Sequence, residues 1–571
     1  MMNEVSRPAD SVEMEVFSNR LLSITEVMAI HMMKSSFSAQ IKERRDFSVG
    51  IFDAEGHLLA QGTHIPLHLG SLLGALETTL ACVSIADMRD GDSYICNDPY
   101  LAGGTHLPDI AIVTPVFLEG AVVAFVANIG HHTDVGGIVP GSIAAGAKSI
   151  FEEGIRIPVV RIARDWEVDG NLLAVIAANS RLPDERALDL RVQVTVNRLG
   201  SEQTRALFER MGIVNVRAAV WDLLSYTSHR LIRHVAAVPE KRCSFESRLD
   251  DDGTGQGRPV RIVVTVWHEA GKLHVDFTGT DRQVVGAMNV SRNALKASVY
   301  YCVKALLDPE LMPNSGLFDA VTISAPPGSI VSPDYPAACG ARSITCQKVA
   351  RAVFGAFRGL LPAGQVIASS HDVLPVISLS GRHPGSGAYY VYAEAIGGGA
   401  GATAGHDGMD AVQVHVTNSL NMPSEVLEIE FPLLVEEYGL AIDSGGNGHY
   451  RGGLGIVRQL RVLADETVLS VRSDSHKFGA DGVHGGGTGQ VGALVLQRDG
   501  AVQEMSSKID GLVLDAGTTV RFTTPGGGGF GSAKMRPVSA LMLDLKNGVL
   551  TREQALRDYG DILQAAERAE F

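Results

Sequence analysis

Four stretches after residue 395, "GGGAGATAGHDGMD", "DSGGNGHYRGGLGIVR", "DGVHGGGTGQVG" and "TPGGGGFGS", constrain the fold most strongly. They hold a large share of the 63 glycines in the 571-residue chain. Glycine allows positive φ and close backbone approach, and between these stretches lie runs with strand character, "QVHVTN", "VLSVRSD" and "GALVLQR". The alternation predicts an ordered, glycine-rich β lobe in which many glycines serve tight turns. Consecutive glycine amides could also cradle a phosphate. Of the residues set in these motifs, His406, Asp407, Asp443, His449 and Arg451 could border a cleft or a subunit contact.

The first half has a different texture. Apolar and polar residues alternate at helical spacing from 12 to 45, and that long helix is expected to run into a hairpin turning at Asp53 to Gly56, with Asp46 where helix becomes strand. A helix around 66 to 83 follows. Residues 172 to 235 read as mainly helical. Two short strands and a turn account for "IAIVTPVFLEGAVVAFVANIG", whose central Pro115, Glu119 and Gly120 argue against a membrane helix. Further helices are expected near 291 to 307, near 345 to 361 and over the last 35 residues or so, where Thr551 and Gln554 have the form of a capping box. The fold class is therefore α+β and multi-lobed. An N-terminal lobe of helices and strands (1–238) carries the candidate metal site, a β-rich lobe covers 239–535, and a helical tail covers 536–571.

Composition removes several function classes. A net charge of -15, with only the short "IKERR" as a basic cluster, argues against nucleic acid. Six scattered cysteines without a C-x-x-C pair, and a start ("MMNEVSRPAD") lacking the basic and apolar parts of a signal peptide, point to a cytoplasmic protein that is not membrane-bound. "GSIAAGAKSIFEEG" nearly spells a phosphate loop, but Ala147 interrupts the required G-K-S, so ATP is expected on another chain. Lys148, Ser149 and Arg156 could steady an anionic intermediate or be solvated loop residues. No G-x-S-x-G elbow supports a serine hydrolase.

Chemistry concentrates in two turns. "GGTHLPD" places His106 and Asp109 three apart, and "NIGHHTD" ends a strand with His131 and His132. With Asp46 these give imidazoles and carboxylates suited to Zn(II), Mn(II) or Fe(II), without a thiol. The alternative is that each histidine caps a turn or bonds a buried backbone group. His132 competes with His131 for the ligand role.

"DFSVGIFDAEGHLLAQGTHIPLHLGSL", "GDSYICNDPYLAGGTHLPDIAIVTPVF", "NIGHHTDVGGIVPGS", "TNSLNMPSEVLE", "DSGGNGHYRGGLGIVR" and "TPGGGGFG" resemble the hydantoinase B/oxoprolinase family, in the same succession, from about residue 12 to about 533. The resemblance implies a larger A-type partner that binds ATP, a hetero-oligomer, and joint opening of cyclic amides such as hydantoins, 5-oxoproline and lactams, or carboxylation of ketones. It implies a divalent metal held by Asp46, His106, Asp109 and His131, with His132 as a supporting group. An ATP-dependent amidohydrolase subunit is the leading expectation. A ketone carboxylase subunit is the alternative, and a scaffold for the ATP-binding chain is a third reading.

Overall fold

The computed structural model describes residues 11–62, 64–254 and 257–569. The opening ten residues, read above as lacking a signal peptide, lie outside the described residues. Helices are α1 (Ser11–Ser35), α2 (Ala39–Lys42), α3 (His68–Cys82), α4 (Gly170–Ala178), α5 (Pro183–Met211), α6 (Ile213–Ala236), α7 (Arg292–Leu307), α8 (Arg342–Phe357), α9 (Ser424–Glu430), α10 (Val538–Lys546) and α11 (Arg552–Ala569). With several sheets between them, the architecture is mixed α+β. No helix among the described residues is long and apolar enough to cross a membrane.

The long first helix of the sequence reading is broken. It stops at Ser35, where Asp189 of α5 accepts the Phe37 amide at 2.7 Å, and Ser38 then caps the single-turn α2. A buried carboxylate that takes a loop amide competes with helix continuation, and periodicity alone does not register it. Asp46 therefore sits on a short connection between α2 and the first strand.

Strands β1 (Phe47–Asp53), β2 (Leu58–Gln61), β3 (Ser93–Cys96), β4 (Asp109–Leu118), β5 (Ala121–His131), β6 (Val160–Arg164) and β7 (Glu167–Val168) form an antiparallel sheet ordered β2-β1-β5-β4-β3-β6-β7. Alternate residues of β5 join different cores: Phe125, Ala127 and Ile129 pack with Leu72 and Leu76 of α3, while Ala124 and Val126 pack with Leu21 and Met28 of α1. The period of two thus places helices on both faces, which explains the nearly unbroken apolar sequence of β4 and β5.

A second sheet, β8 (Cys243–Leu249), β9 (Val260–Glu269), β10 (Lys272–Asp276) and β11 (Val321–Ser324), has order β11-β10-β9-β8, with β10 and β11 parallel. Every residue of α8 is buried, and its apolar cluster includes Phe52 and Leu72 as well as Val264, Val353 and Val416. One core therefore draws on residues from both sides of position 238. Strands β12 (Val376–Arg382), β13 (Tyr389–Ala395), β14 (Leu433–Leu440), β15 (Ile456–Val462), β16 (Thr467–Arg472), β17 (Ala493–Arg498), β18 (Ala501–Glu504), β19 (Lys508–Leu514) and β20 (Thr519–Thr523) build two more antiparallel sheets, β13-β12-β16-β19 and β14-β15-β20-β17-β18. "QVHVTN" is not a strand; its backbone turns at His415, which has φ 55°.

The glycine-rich stretches do something other than turn. They run as extended segments packed backbone to backbone, with Gly446 N donating to Gly527 O, Gly527 N to Gly453 O, Gly453 N to Ala400 O and Gly529 N to Gly487 O, all at 2.8 to 2.9 Å. A Cβ on Gly452 would lie 1.9 Å from Gly527 O, and one on Gly529 1.9 Å from Asn447 O. Excluded volume at the contacts demands glycine here, and positive φ is not the reason. The capping box at α11 is half formed: Thr551 Oγ1 accepts the Gln554 amide at 3.2 Å, but the Gln554 side chain goes to Asp558 and the Thr551 amide to Asp443.

Candidate metal centre

Three folding events converge on one buried cavity. Gly74 of α3 and Gly103 touch so closely that a Cβ on Gly74 would meet Gly103 O at 2.0 Å, which tucks the loop before β4 beneath the helix. That loop ends at His106 and delivers Asp109 as the first residue of β4, where it is the register partner of His131, the last residue of β5. The His131 amide donates to Asp46 O at 3.0 Å, which draws the α2–β1 connection alongside.

Asp46, His106 and His131 line this cavity, and Asp109 stands directly behind, its Oδ1 3.0 Å from His106 Nε2. Ligand-capable atoms of His106, Asp109 and His131 all lie within 4.8 Å of one another. Asp46 is beside this trio, its Oδ2 4.0 Å from His131 Nδ1. His68, at the start of α3, is a further donor missed by the sequence reading. Its Nε2 stands 3.4 Å from Asp109 Oδ1 and 3.7 Å from Asp46 Oδ1. The signal available for it was "HIPLHLG", an imidazole opening a helix in a stretch used only for the family resemblance. His132 points to the other face of the strand end, where Nε2 meets Gln193 Oε1 of α5 at 2.9 Å.

The donor set fits a cation. His106 Nδ1 lies 3.2 Å from Gly340 O while Nε2 lies 3.0 Å from Asp109 Oδ1, so two acceptors face one ring. Burial, with Arg342 nearby, lowers the His106 pKa to about 4, and a neutral imidazole carries one N–H for those two acceptors. One ring nitrogen then directs its lone pair at an oxygen, an arrangement that a cation between them relieves. Burial and the neighbouring His106 likewise hold His131 well below the usual histidine range. For Asp109, burial alone would raise the pKa, but His106 and Arg342 outweigh it and keep the carboxyl well below its usual value. Burial raises Asp46 against the opposing His68 and Arg44.

Around this cluster Asp109 Oδ2 accepts from Thr105 Oγ1 at 2.9 Å and Arg342 Nη2 at 2.5 Å, and Gln40 Nε2 donates to Asp46 Oδ2 at 2.9 Å. Lys148 is exposed, and the amides of its loop are taken by carboxylates: Ala145 and Gly146 by Asp510, Lys148 by Glu152. Arg156 pairs with Asp98 at 2.6 Å and lies over Phe151 and Tyr335. None of these lines the cavity. Asp407 and Arg451 belong to ion pairs with Arg536 and Asp410, Asp443 holds Thr551, and His449 stacks on Tyr450, while His406 is exposed.

The family model for hydantoinase B/oxoprolinase matches residues 10–533. The chain belongs to the hydantoinase B/oxoprolinase family. An uncharacterised protein of Methanocaldococcus jannaschii is 35% identical, with 96% of each chain covered. The 5-oxoprolinase 1 of Arabidopsis thaliana is 32% identical over 92% of this chain, which spans only 42% of that longer protein. Among solved structures, the ATP-dependent caprolactamase from Pseudomonas jessenii superposes with a TM-score of 0.89 at 26% identity, covering 97% of this chain and 96% of that one. An acetone carboxylase shares the fold at a TM-score of 0.88 and 18% identity, over 96% of this chain and 79% of that one. This family comprises B-type chains of ATP-dependent hydantoinases, oxoprolinases and lactamases, with carboxylase relatives.

Proposed function

We propose that the chain is the ring-opening, B-type subunit of an ATP-dependent cyclic amidohydrolase, acting on an amide that an A-type partner activates at the expense of ATP. The observation that carries this reading is the buried Asp46–His106–Asp109–His131 cluster, set in a chain that matches the caprolactamase chain over nearly its whole length. Two further facts support an ATP step on other sequence. The amides of the interrupted phosphate loop already have carboxylate partners, and the single-chain plant 5-oxoprolinase contains more than twice the length matched here.

His106, His131, Asp109 and Asp46 would hold a divalent zinc, manganese or iron ion, with His68 as a further candidate. When bound, such an ion supplies Lewis acidity that lowers the pKa of water toward ~7. The chain's own residues prepare the site for it. Burial keeps both imidazoles neutral, with lone pairs free, while Arg342 keeps Asp109 ionised. Asp46, whose carboxyl burial lifts, stands ready to take a proton released from water. Ile65, Leu67, Ile143, Leu374 and Val376 give the cavity an apolar wall suited to ring methylenes and to excluding bulk solvent.

The test is reconstitution with an A-type partner. ADP release and ring-opened product are measured with hydantoin, 5-oxoproline and caprolactam as substrates. The expected result is amide-dependent ATP cleavage coupled to ring opening. ATP cleavage that instead requires bicarbonate and a ketone, giving a carboxylated product, would overturn the reading in favour of a carboxylase.

A further inference from the structure

Three guanidiniums share the cavity with the histidine–aspartate cluster. Arg44, Arg342 and Arg472 all line it, and they are only 1%, 3% and 3% exposed. Each is anchored through one edge. Arg44 donates to Gln40 Oε1 at 2.7 Å and Ala393 O at 3.0 Å, Arg342 to Asp109 Oδ2 at 2.5 Å, and Arg472 to Gly340 O. The Nε–H of every one of the three is buried with no partner among the described residues.

Such groups are costly to leave unmade, because a buried charged donor without an acceptor forfeits its hydration without replacement. Charge points the same way. Three cations stand against two carboxylates, Asp46 and Asp109, and the nearby Glu153 spends Oε1 on the Gly340 amide rather than on an arginine. A positive excess therefore remains before any metal ion is added. The forked donors of arginine match the oxygens of phosphate and carboxylate, and together with its mouth the cavity holds about 540 Å³ of free space, within the range of small-ligand sites.

We infer that Arg342 and Arg472, backed by Arg44, form an oxyanion subsite beside the metal centre, which receives the phosphoryl group of the activated amide. That assignment of the anion rests on the amidohydrolase reading; the subsite itself rests on the arginines alone. A carboxylate released by ring opening has the same chemistry, and the experiment separates the two.

The full-length chain, stripped of metal with EDTA, is titrated calorimetrically with inorganic phosphate and, separately, with acetate. Phosphate is expected to bind at least tenfold more tightly than acetate, and Arg472→Gln is expected to weaken phosphate binding at least tenfold. Since loss of the bond to Gly340 O could unsettle the fold, Arg472→Lys is measured as well, with a cooperative melt as the check on folding. It retains charge and a donor but loses the fork, and should also weaken phosphate binding severalfold. Failure of the parent to bind phosphate, or unchanged affinity in a folded Arg472 variant, overturns the subsite. Acetate binding as tight as phosphate overturns the phosphoryl assignment. Because the titration contains no ATP, partner or metal, an arginine-dependent phosphate site in a chain that opens no cyclic amide would count against the proposed function alone.

Discussion

Asp109 and His131 face one another across the β4–β5 pair, the first residue of one strand opposite the last residue of the next. Antiparallel pairing therefore does most of the work of assembling the centre, since one hairpin register fixes two candidate ligands that lie far apart in sequence. The same register explains the choice between adjacent histidines. Side chains of successive residues leave opposite faces of a strand, so His131 lines the cavity while His132 meets Gln193 on α5.

The purified chain should contain about one divalent transition metal, measured by elemental analysis. His106→Ala and Asp109→Ala each remove one of the three groups whose ligand atoms lie within 4.8 Å of one another, so metal content should fall to a small fraction of the parent's. His68→Ala removes a group that reaches Asp109 and Asp46 only at 3.4 and 3.7 Å, and a smaller loss is expected. Parental metal content in folded His106 and Asp109 variants would refute the ligand set.

Much of the frame was legible in the sequence because the physics is local. Period-two apolar runs gave β4 and β5, helical spacing gave α3 to α6, and the turn at Asp53 to Gly56 gave the β1–β2 hairpin. Where a long-range contact decides the outcome, the sequence was silent. Asp189 breaks the first helix from 152 positions away, and Arg342 and Arg472 enter the cavity from α8 and β16 with nothing in their neighbours to announce it. Glycine richness was visible, but its cause was not. A run of glycines reads alike whether it turns or packs, and only the partner segments at 446, 487 and 527 show that it packs.

That packing can be tested directly. Gly452→Ala would press a methyl group to 1.9 Å from Gly527 O, and backbone on both sides leaves little freedom to move away. Overpacking of this kind costs roughly 1–3 kcal/mol or more, so a fall of several degrees in Tm is expected. Gly364, with nothing within 4 Å of its Cβ position, is the control, and Gly364→Ala should melt within about a degree of the parent. Equal melting of the two variants would show that the glycine segments are not packed as described.

Glu153 gives a pH dependence with a definite sign. Burial raises its pKa from the usual 4.5 to about 7, against the amide bonds it accepts from Gly340 and Cys339. Below pH 4.5 the carboxyl is protonated in both folded and unfolded chains and contributes nothing. As pH rises toward 7 the unfolded chain ionises first, so folding stability falls across this window, by on the order of 3 kcal/mol at full ionisation. Glu153→Gln mimics the protonated form and keeps an acceptor for the Gly340 amide. Urea unfolding from pH 4.5 to 8 should therefore show a flatter profile for the variant and higher stability at pH 8. A parallel profile, offset by a constant, would exclude Glu153 as the source.

Asp46 offers a way to divide the reaction between chains. Its side chain reaches the cavity from the α2–β1 connection, and the bond that positions this segment, His131 N–H to Asp46 O, is made by the backbone. Asp46→Asn should therefore leave the local fold and subunit assembly intact, with Gln40 Nε2 still able to donate to the amide oxygen in place of Oδ2. What the substitution removes is a negative charge beside His68 and His131 and a proton acceptor facing the cavity. If the partner activates the amide and this chain completes ring opening, the variant complex should cleave ATP in response to substrate at close to the parental rate. Ring-opened product should fall at least a hundredfold, within the range ascribed to loss of one general base or one metal-orienting group. ADP release and ring-opened product, measured in the same reaction, give the ratio directly. Parallel loss of both activities in an assembled complex would instead place Asp46 in the activation step, and would mean that the two chains form one composite active site.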